Sequence, residues 1–335
     1  MSPLRRVPRG PLERVFRLAD FMARIESVAP GELLLRGGTA LNLVHLDAPR
    51  LSVDLDLDYV GSAEADIAQL RRPELLGELE ELAIRAGYVV EHARPSYAMA
   101  HLVLRYEDVA GRSAALKLNL DFLDRVPVLD PIRLPLRHPF AGDLEASPVL
   151  TFALDELAAS KVIALARRGL ARDLFDVAEL AQAPQLDLDL ARTVLVVRGA
   201  AYPPPSPEEY APDAGERVRL VDWRSQVVAL ALRGRATDLA DAQLRSAGLL
   251  GELLTLRPAQ ARFLRVLEEG ELDPVLLEAP ALEGSVAANP GLLWRVQRGA
   301  EGLEALRSRR LISTAEDAAA RCPGERACRW RALAE

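Results

Sequence analysis

The hydrophobic pattern of the chain changes character near residue 148. Ahead of that point, short runs alternate apolar and polar residues and predict strands; behind it, apolar residues recur about every 3.6 positions and predict helices. Residues 11–28 place Leu12, Val15, Phe16, Ala19 and Met22 on one helical face. Leu33 to Leu35 reads as a short buried strand that ends at Gly37-Gly38. A helix over "TALNLVHL" follows, with Thr39 as its expected N-cap. "LSVDLDLDYV" is a strand by strict alternation: Val53, Leu55, Leu57 and Tyr59 share one face, and Ser52, Asp54, Asp56 and Asp58 share the other. Residues 64–86 read as a helix. "YVVEHA", "MAHLVLRYE" and "SAALKLNLDFLD" add strands to a mixed sheet, with a hairpin turn at "EDVAGRS".

Beyond Pro148, "FALDELAASKVIALARR" is strongly helical, Gly169 interrupts it, and "ARDLFDVAELAQ" resumes as a second helix. Residues 201–214 form a Pro-rich loop, and helical segments continue to about residue 310. The pattern predicts an α+β fold: a mixed sheet with flanking helices over residues 1–147, a helical domain over 148–310, and a tail over 311–335 with no assigned role.

Composition narrows the field. The 335 residues are half hydrophobic and carry a net charge of −7, so no global basic field points to nucleic acid and any such contact needs a local patch. No apolar run reaches the roughly 20 residues of a membrane span. The basic N-terminus leads into no apolar segment, so no signal peptide is expected and the cytoplasm is the expected location. Cys322 and Cys328 are one pair near the C-terminus, neither a disulfide framework nor a metal knuckle. Among 42 basic residues only Lys117 and Lys161 are lysine. A lysine against an arginine background marks a place that needs a compact ammonium, or is a chance survivor.

The acidic strand holds the candidate chemistry. Three carboxylates on one face repel each other and cost desolvation, so that face is either a wet edge or the seat of a cation. Gly37-Gly38-Thr39, just upstream, can bring backbone N–H groups close to a phosphate. Together the two features supply a phosphate cradle and a divalent-metal site, since Mg²⁺ is typically held by one or two carboxylates plus substrate phosphates. That combination suits phosphoryl or nucleotidyl transfer.

The layout resembles the nucleotidyltransferase fold shared with DNA polymerase beta. More narrowly, "GGTALNL" followed by "RLSVDLDLDYV" resembles the AbiEii family of nucleotidyltransferase toxins, which includes the MenT toxins. "DELAASKVIALARRGLARDLFDVAEL" is similar to that family's Lys helix and Arg-Asp-x-x-Asp signature, and "FLRVLEEGELDPVLLEAPALEGSVAANPGLLWRVQ" to its C-terminal segment. The resemblance spans about residues 30–300. It implies a Mg²⁺- or Mn²⁺-dependent enzyme moving an NMP from an NTP to RNA, notably tRNA 3′ ends. The enzyme would act as the toxin of a type IV toxin–antitoxin or abortive-infection pair with a winged-helix antitoxin, away from any membrane.

Carried over residue by residue, the resemblance makes Ser52 and Asp54 active-site positions. It makes Asp54 and Asp56 the metal ligands, and Gly37, Gly38 and Thr39 contacts to the nucleotide phosphates. Lys161 matches the triphosphate lysine. Asp173 matches the second catalytic acid, for positioning or general-base help. Arg168, in a cluster with Arg167 and Arg172, is a nucleotide-binding candidate; these arginines either bind phosphates or pair with acidic neighbours. Asp58 reads as a wet strand-end residue and Asp176 as structural. Asn119 is a departure, because some members place an acid at the aligned position. Asp121, on the same face, is either a third metal ligand or a strand-end polar residue, and Lys117 can also act from that strand. Two alternatives stay open: a protein-modifying enzyme of this fold with Ser52 as a possible acceptor, and a non-catalytic nucleotide-binding member.

Overall fold

The structure is a computed structural model. It describes residues 9–298 apart from 48, 93–95, 97, 137–147, 203–204 and 233–237. Cys322, Cys328 and the expected helical residues 299–310 lie outside the described residues.

The front half is built on one seven-stranded mixed sheet. Helix α1 (Arg9–Val28) leads into β1 (Leu33–Arg36), and α2 (Gly37–Ala40) runs on into one wider turn over residues 41–45. Then come β2 (Asp54–Tyr59), α3 (Ala65–Arg85), β3 (Val89–His92), β4 (Met99–Glu107), β5 (Ser113–Asp121), β6 (Ile132–Pro135) and β7 (Pro148–Thr151). The strand order is β3-β4-β5-β2-β1-β7-β6. β2 lies at the centre, antiparallel to β1 and parallel to β5. Leu55, Leu57 and Tyr59 bury against one face of the sheet in a core that also takes Leu18 and Phe21 of α1 and Leu75 and Leu79 of α3. Two amphipathic helices thus cover one side and leave the acidic side of β2 to face the rest of the molecule.

The helices behind form a second core. They are α4 (Leu154–Arg168), α5 (Ala171–Leu180), α6 (Leu188–Ala201), the short α7 (Leu220–Trp223), α8 (Leu239–Leu254), α9 (Pro258–Glu268) and α10 (Glu283–Ala287). Gly169, at φ 61°, ends α4 in the left-handed conformation that favours glycine, and the chain re-enters a helix within two residues. α4 packs on both α5 and α6, and it also touches α2. That last contact brings the helical half over the glycine turn.

Two local expectations change. The sheet extends past residue 147: β7 pairs with β1 and β6, and α4 contributes to both hydrophobic cores, with Leu157 in the front one and Leu154 and Ala158 in the rear one. Thr39 is not an N-cap. The helix starts at Gly37, and the buried Thr39 hydroxyl instead donates to the Asp54 carbonyl at 2.7 Å, tying the glycine turn to β2.

Candidate active site

The acidic face of β2 gains its shape from strand register. Arg36, Asp56, Asn119 and His101 lie in one row across β1, β2, β5 and β4. Asn119 Nδ2 donates to Asp56 Oδ1 at 2.8 Å, and Asn119 Oδ1 meets His101 Nδ1 at 2.8 Å. The amide at 119 is therefore a hydrogen-bonding prop for Asp56, itself fixed by His101. Nothing in the local pattern marked His101, because the row exists only once β4 and β5 are paired.

The glycine turn sits directly against these carboxylates. Gly37 has φ +73°, and a Cβ there would stand 2.7 Å from Asp56 Oδ2; one on Gly38 would stand 2.9 Å from both Arg50 Nη2 and Ser52 Oγ. The absence of side chains lets the backbone approach the acids and leaves room for a phosphate between them. Gly37→Ala is expected to cost about 1–3 kcal/mol of stability through left-handed backbone strain. It is also expected to weaken NTP binding at least about tenfold by filling the cradle. Thermal melts and calorimetric titration with an NTP check both.

Gly37, Gly38, Ser52, Asp54, Asp56 and Asn119 line one cleft of about 530 Å³ with Lys161, Arg168 and Arg172 from the helical half. A further cation in this wall, Arg50, was not singled out by sequence reasoning. Arg50 is buried and held by Asp176, which accepts from its Nε at 2.9 Å and its Nη2 at 2.8 Å. The same carboxylate faces Lys161 Nζ at 2.6 Å and accepts from Asn42 Nδ2 at 3.0 Å. Burial opposes the charge on Asp176, but Arg50 and Lys161 outweigh it and hold the carboxyl well below the usual carboxylate range. Asp176 is structural, as its spacing suggested, and it also sets where both cations point.

Asp173 lies behind the cleft rather than in it. It is fully buried, and its two oxygens accept from Arg168 Nε at 2.6 Å and Nη2 at 2.8 Å. The Asp173 hydrogen bonds hold the Arg168 guanidinium's affinity for its proton above the ordinary arginine value. Asp173 thus reaches the site through Arg168, which fits positioning rather than proton abstraction.

Asp58 corrects a prediction. It is fully buried, not wet, with Oδ1 2.7 Å from Arg36 Nε. Burial pushes its carboxyl well up, while Arg36 works the other way. Asp121 sits beside Asp58 in register, 3.5 Å from Arg36 Nη2, and accepts from the Leu123 N–H at 2.8 Å. It is one pleat away from the Asp54–Asp56 pair and does not line the cleft. Lys117 is exposed, opposite Asp54 in register.

Among the described residues, no group of three or more His, Cys, Asp or Glu side chains is gathered for a metal. The donor set at β2 is instead two carboxylates beside a cradle that a Cβ would fill. This set fits an Mg²⁺ or Mn²⁺ ion whose remaining ligands are substrate phosphates and water.

A mixed sheet bearing a glycine turn against a paired-aspartate strand, closed by a lysine helix, defines a nucleotidyltransferase. A sequence profile described as the nucleotidyl transferase AbiEii toxin of type IV toxin–antitoxin systems matches residues 20–253. That is more than half of the chain, and the chain belongs to the AbiEii family. A search of curated proteins finds no match. Among solved structures, MenT4, the nucleotidyltransferase toxin Rv2826c from Mycobacterium tuberculosis H37Rv, is similar with a TM-score of 0.58 and 19% identity, over 83% of this chain and 93% of that one. JHP933 from Helicobacter pylori gives a TM-score of 0.46 and 18% identity, over 78% of this chain and 99% of that one. No described helix is long and apolar enough to cross a membrane.

Proposed function

We propose that this nucleotidyltransferase moves an NMP from an NTP onto an RNA acceptor, with tRNA as the first candidate, and acts as a toxin restrained by a cognate antitoxin. The observation that carries this reading is the gathering of Gly37, Gly38, Asp54, Asp56, Arg50 and Lys161 around one cleft. The Gly37–Gly38 backbone and the Lys161 and Arg50 cations bind and orient the triphosphate. Asp54 and Asp56 hold the divalent ion, which when bound neutralises charge on the transferring phosphoryl group. Asn119 keeps Asp56 aimed into the cleft. Arg168, braced by Asp173, offers its outer N–H groups to the phosphates.

The test incubates purified protein with each labelled NTP, Mg²⁺ or Mn²⁺, and total tRNA. Label on RNA, lost on adding EDTA, is expected. Label on protein instead would move the acceptor to a polypeptide, and no label with any NTP would leave a binding protein only.

A further inference from the structure

A second cleft, of about 440 Å³, adjoins the first and shares Gly37, Asp56, Lys161 and Arg168 with it. Its other walls include Phe152, Leu157, Ile163 and Tyr202, with Arg167 at the rim. The two clefts therefore meet at the residues that would hold the reacting phosphoryl group.

Their walls differ. The first cleft joins the Asp54 and Asp56 carboxylates to the Gly37–Gly38 backbone and to Arg50 and Lys161, which share the carboxylate of Asp176. In the second, Arg198 is flanked by Asp124 and Glu156 and Arg36 by Asp58, while Phe152, Leu157, Ile163 and Tyr202 supply an apolar wall. Paired carboxylates beside a glycine turn suit a metal-bound triphosphate; an aromatic and aliphatic wall suits a nucleoside. In-line displacement also needs the attacking hydroxyl on the side of the phosphorus opposite the leaving pyrophosphate. With the triphosphate in the first cleft, the second is where an acceptor would arrive.

We propose that the second cleft seats the 3′-terminal nucleoside of a single-stranded RNA acceptor, with Tyr202 as its stacking platform. The inference rests on the nucleotidyl-transfer reading above. Tyr202 lies at the end of α6 and remains 37% exposed. The Arg167 guanidinium carbon is 5.6 Å from its ring centroid, and Arg167 Nη1 donates to the Pro205 carbonyl at 3.3 Å. An arginine against a tyrosine at the mouth of an apolar cleft is the pairing that grips unstacked bases, the ring taking the base and the cation the backbone. The NTP does not require this cleft for its phosphates, whereas an RNA end must enter past exposed side chains, and Arg167 and Arg168 supply them.

The test combines binding with turnover. An oligoribonucleotide with a single-stranded 3′ end carries 2-aminopurine as its last base, and quenching on binding reports stacking. Quenching is expected with the wild type and with Asp54→Asn, which needs no turnover. It is expected to be lost in Tyr202→Leu, to be retained in Tyr202→Phe, and to be absent when the probe is moved to the 5′ end. In steady state, Tyr202→Leu is expected to raise the KM for RNA about tenfold, as loss of one base stack would, with NTP affinity within about twofold of wild type. Equal quenching from either end, or an effect of Tyr202→Leu on NTP affinity instead of RNA, would overturn the assignment while leaving transfer to RNA intact. Quenching without any transfer by the wild type would keep the nucleoside site and discard the enzymatic reading. Melting temperatures of both variants confirm that they fold.

Discussion

Asp56→Asn is expected to reduce nucleotidyl transfer by about a thousandfold or more while the protein stays folded. A metal-held transferring phosphate is stabilised by several kcal/mol, and each 1.36 kcal/mol is a factor of ten in rate. The substitution keeps the size of the side chain, and its amide oxygen still accepts from Asn119 Nδ2, so the row from His101 to β2 survives. What it removes is one of the two anions at the mouth of the glycine cradle. Folding should not suffer. Asp56 shares its strand face with Asp54 and Asp58, and neutralising one of three like charges relieves repulsion. Initial rates with labelled NTP and a thermal melt check the two halves together. A variant with rates within tenfold of wild type would show that Asp56 is not a ligand of the reacting centre.

Asp176→Ala is expected to be the most damaging single change to stability, at about 3–5 kcal/mol, because it strands two buried cations. Arg50 and Lys161 both lose their counter-ion, and Asn42 loses an acceptor. Urea unfolding would read the loss as a lower midpoint with an unchanged slope. Asp176→Asn should be milder, since one amide oxygen still accepts, but it too releases Lys161 and Arg50 from their common anchor. The pH dependence follows from the direction of the shift. The folded-state pKa of Asp176 lies below its ordinary value of 3.8, so the stability it contributes is present above about pH 4 and is lost as the pH falls toward the depressed value. Stability measured downward from pH 5 should therefore fall more steeply in the wild type than in Asp176→Asn. Parallel curves would mean that the cations are not held by this carboxylate.

The recognisable motifs sort by how local their cause is. The β2 alternation, the Gly37-Gly38 turn and the α4 break at Gly169 were readable because each depends on the chain's own geometry: period two, freedom at positive φ, period 3.6. The fate of individual acids was not. Asp54, Asp56 and Asp58 have the same local pattern, yet two line a cleft and the third is sealed under Arg36. Nothing within ten residues distinguishes them; the neighbouring strands and the helices packed over that face do. The expected boundary at residue 148 missed β7 because a four-residue segment carries too little pattern to announce which sheet it joins. Arg50 and Asp176 stand 126 positions apart in the chain, and their bidentate pairing exists only in the folded molecule.

By itself, then, the sequence determined the longer helices and strands, the alternation of β2, the glycine turn and the lysine helix, since these follow from backbone periodicity and residue chemistry. Only the tertiary structure decided that Asn119 braces Asp56, that Asp173 is buried against Arg168, that Asp176 holds two cations at once, and that a second cleft meets the first at Asp56. Each of those facts is a distance between segments remote in the chain, set by how the helical core packs against the open face of the sheet.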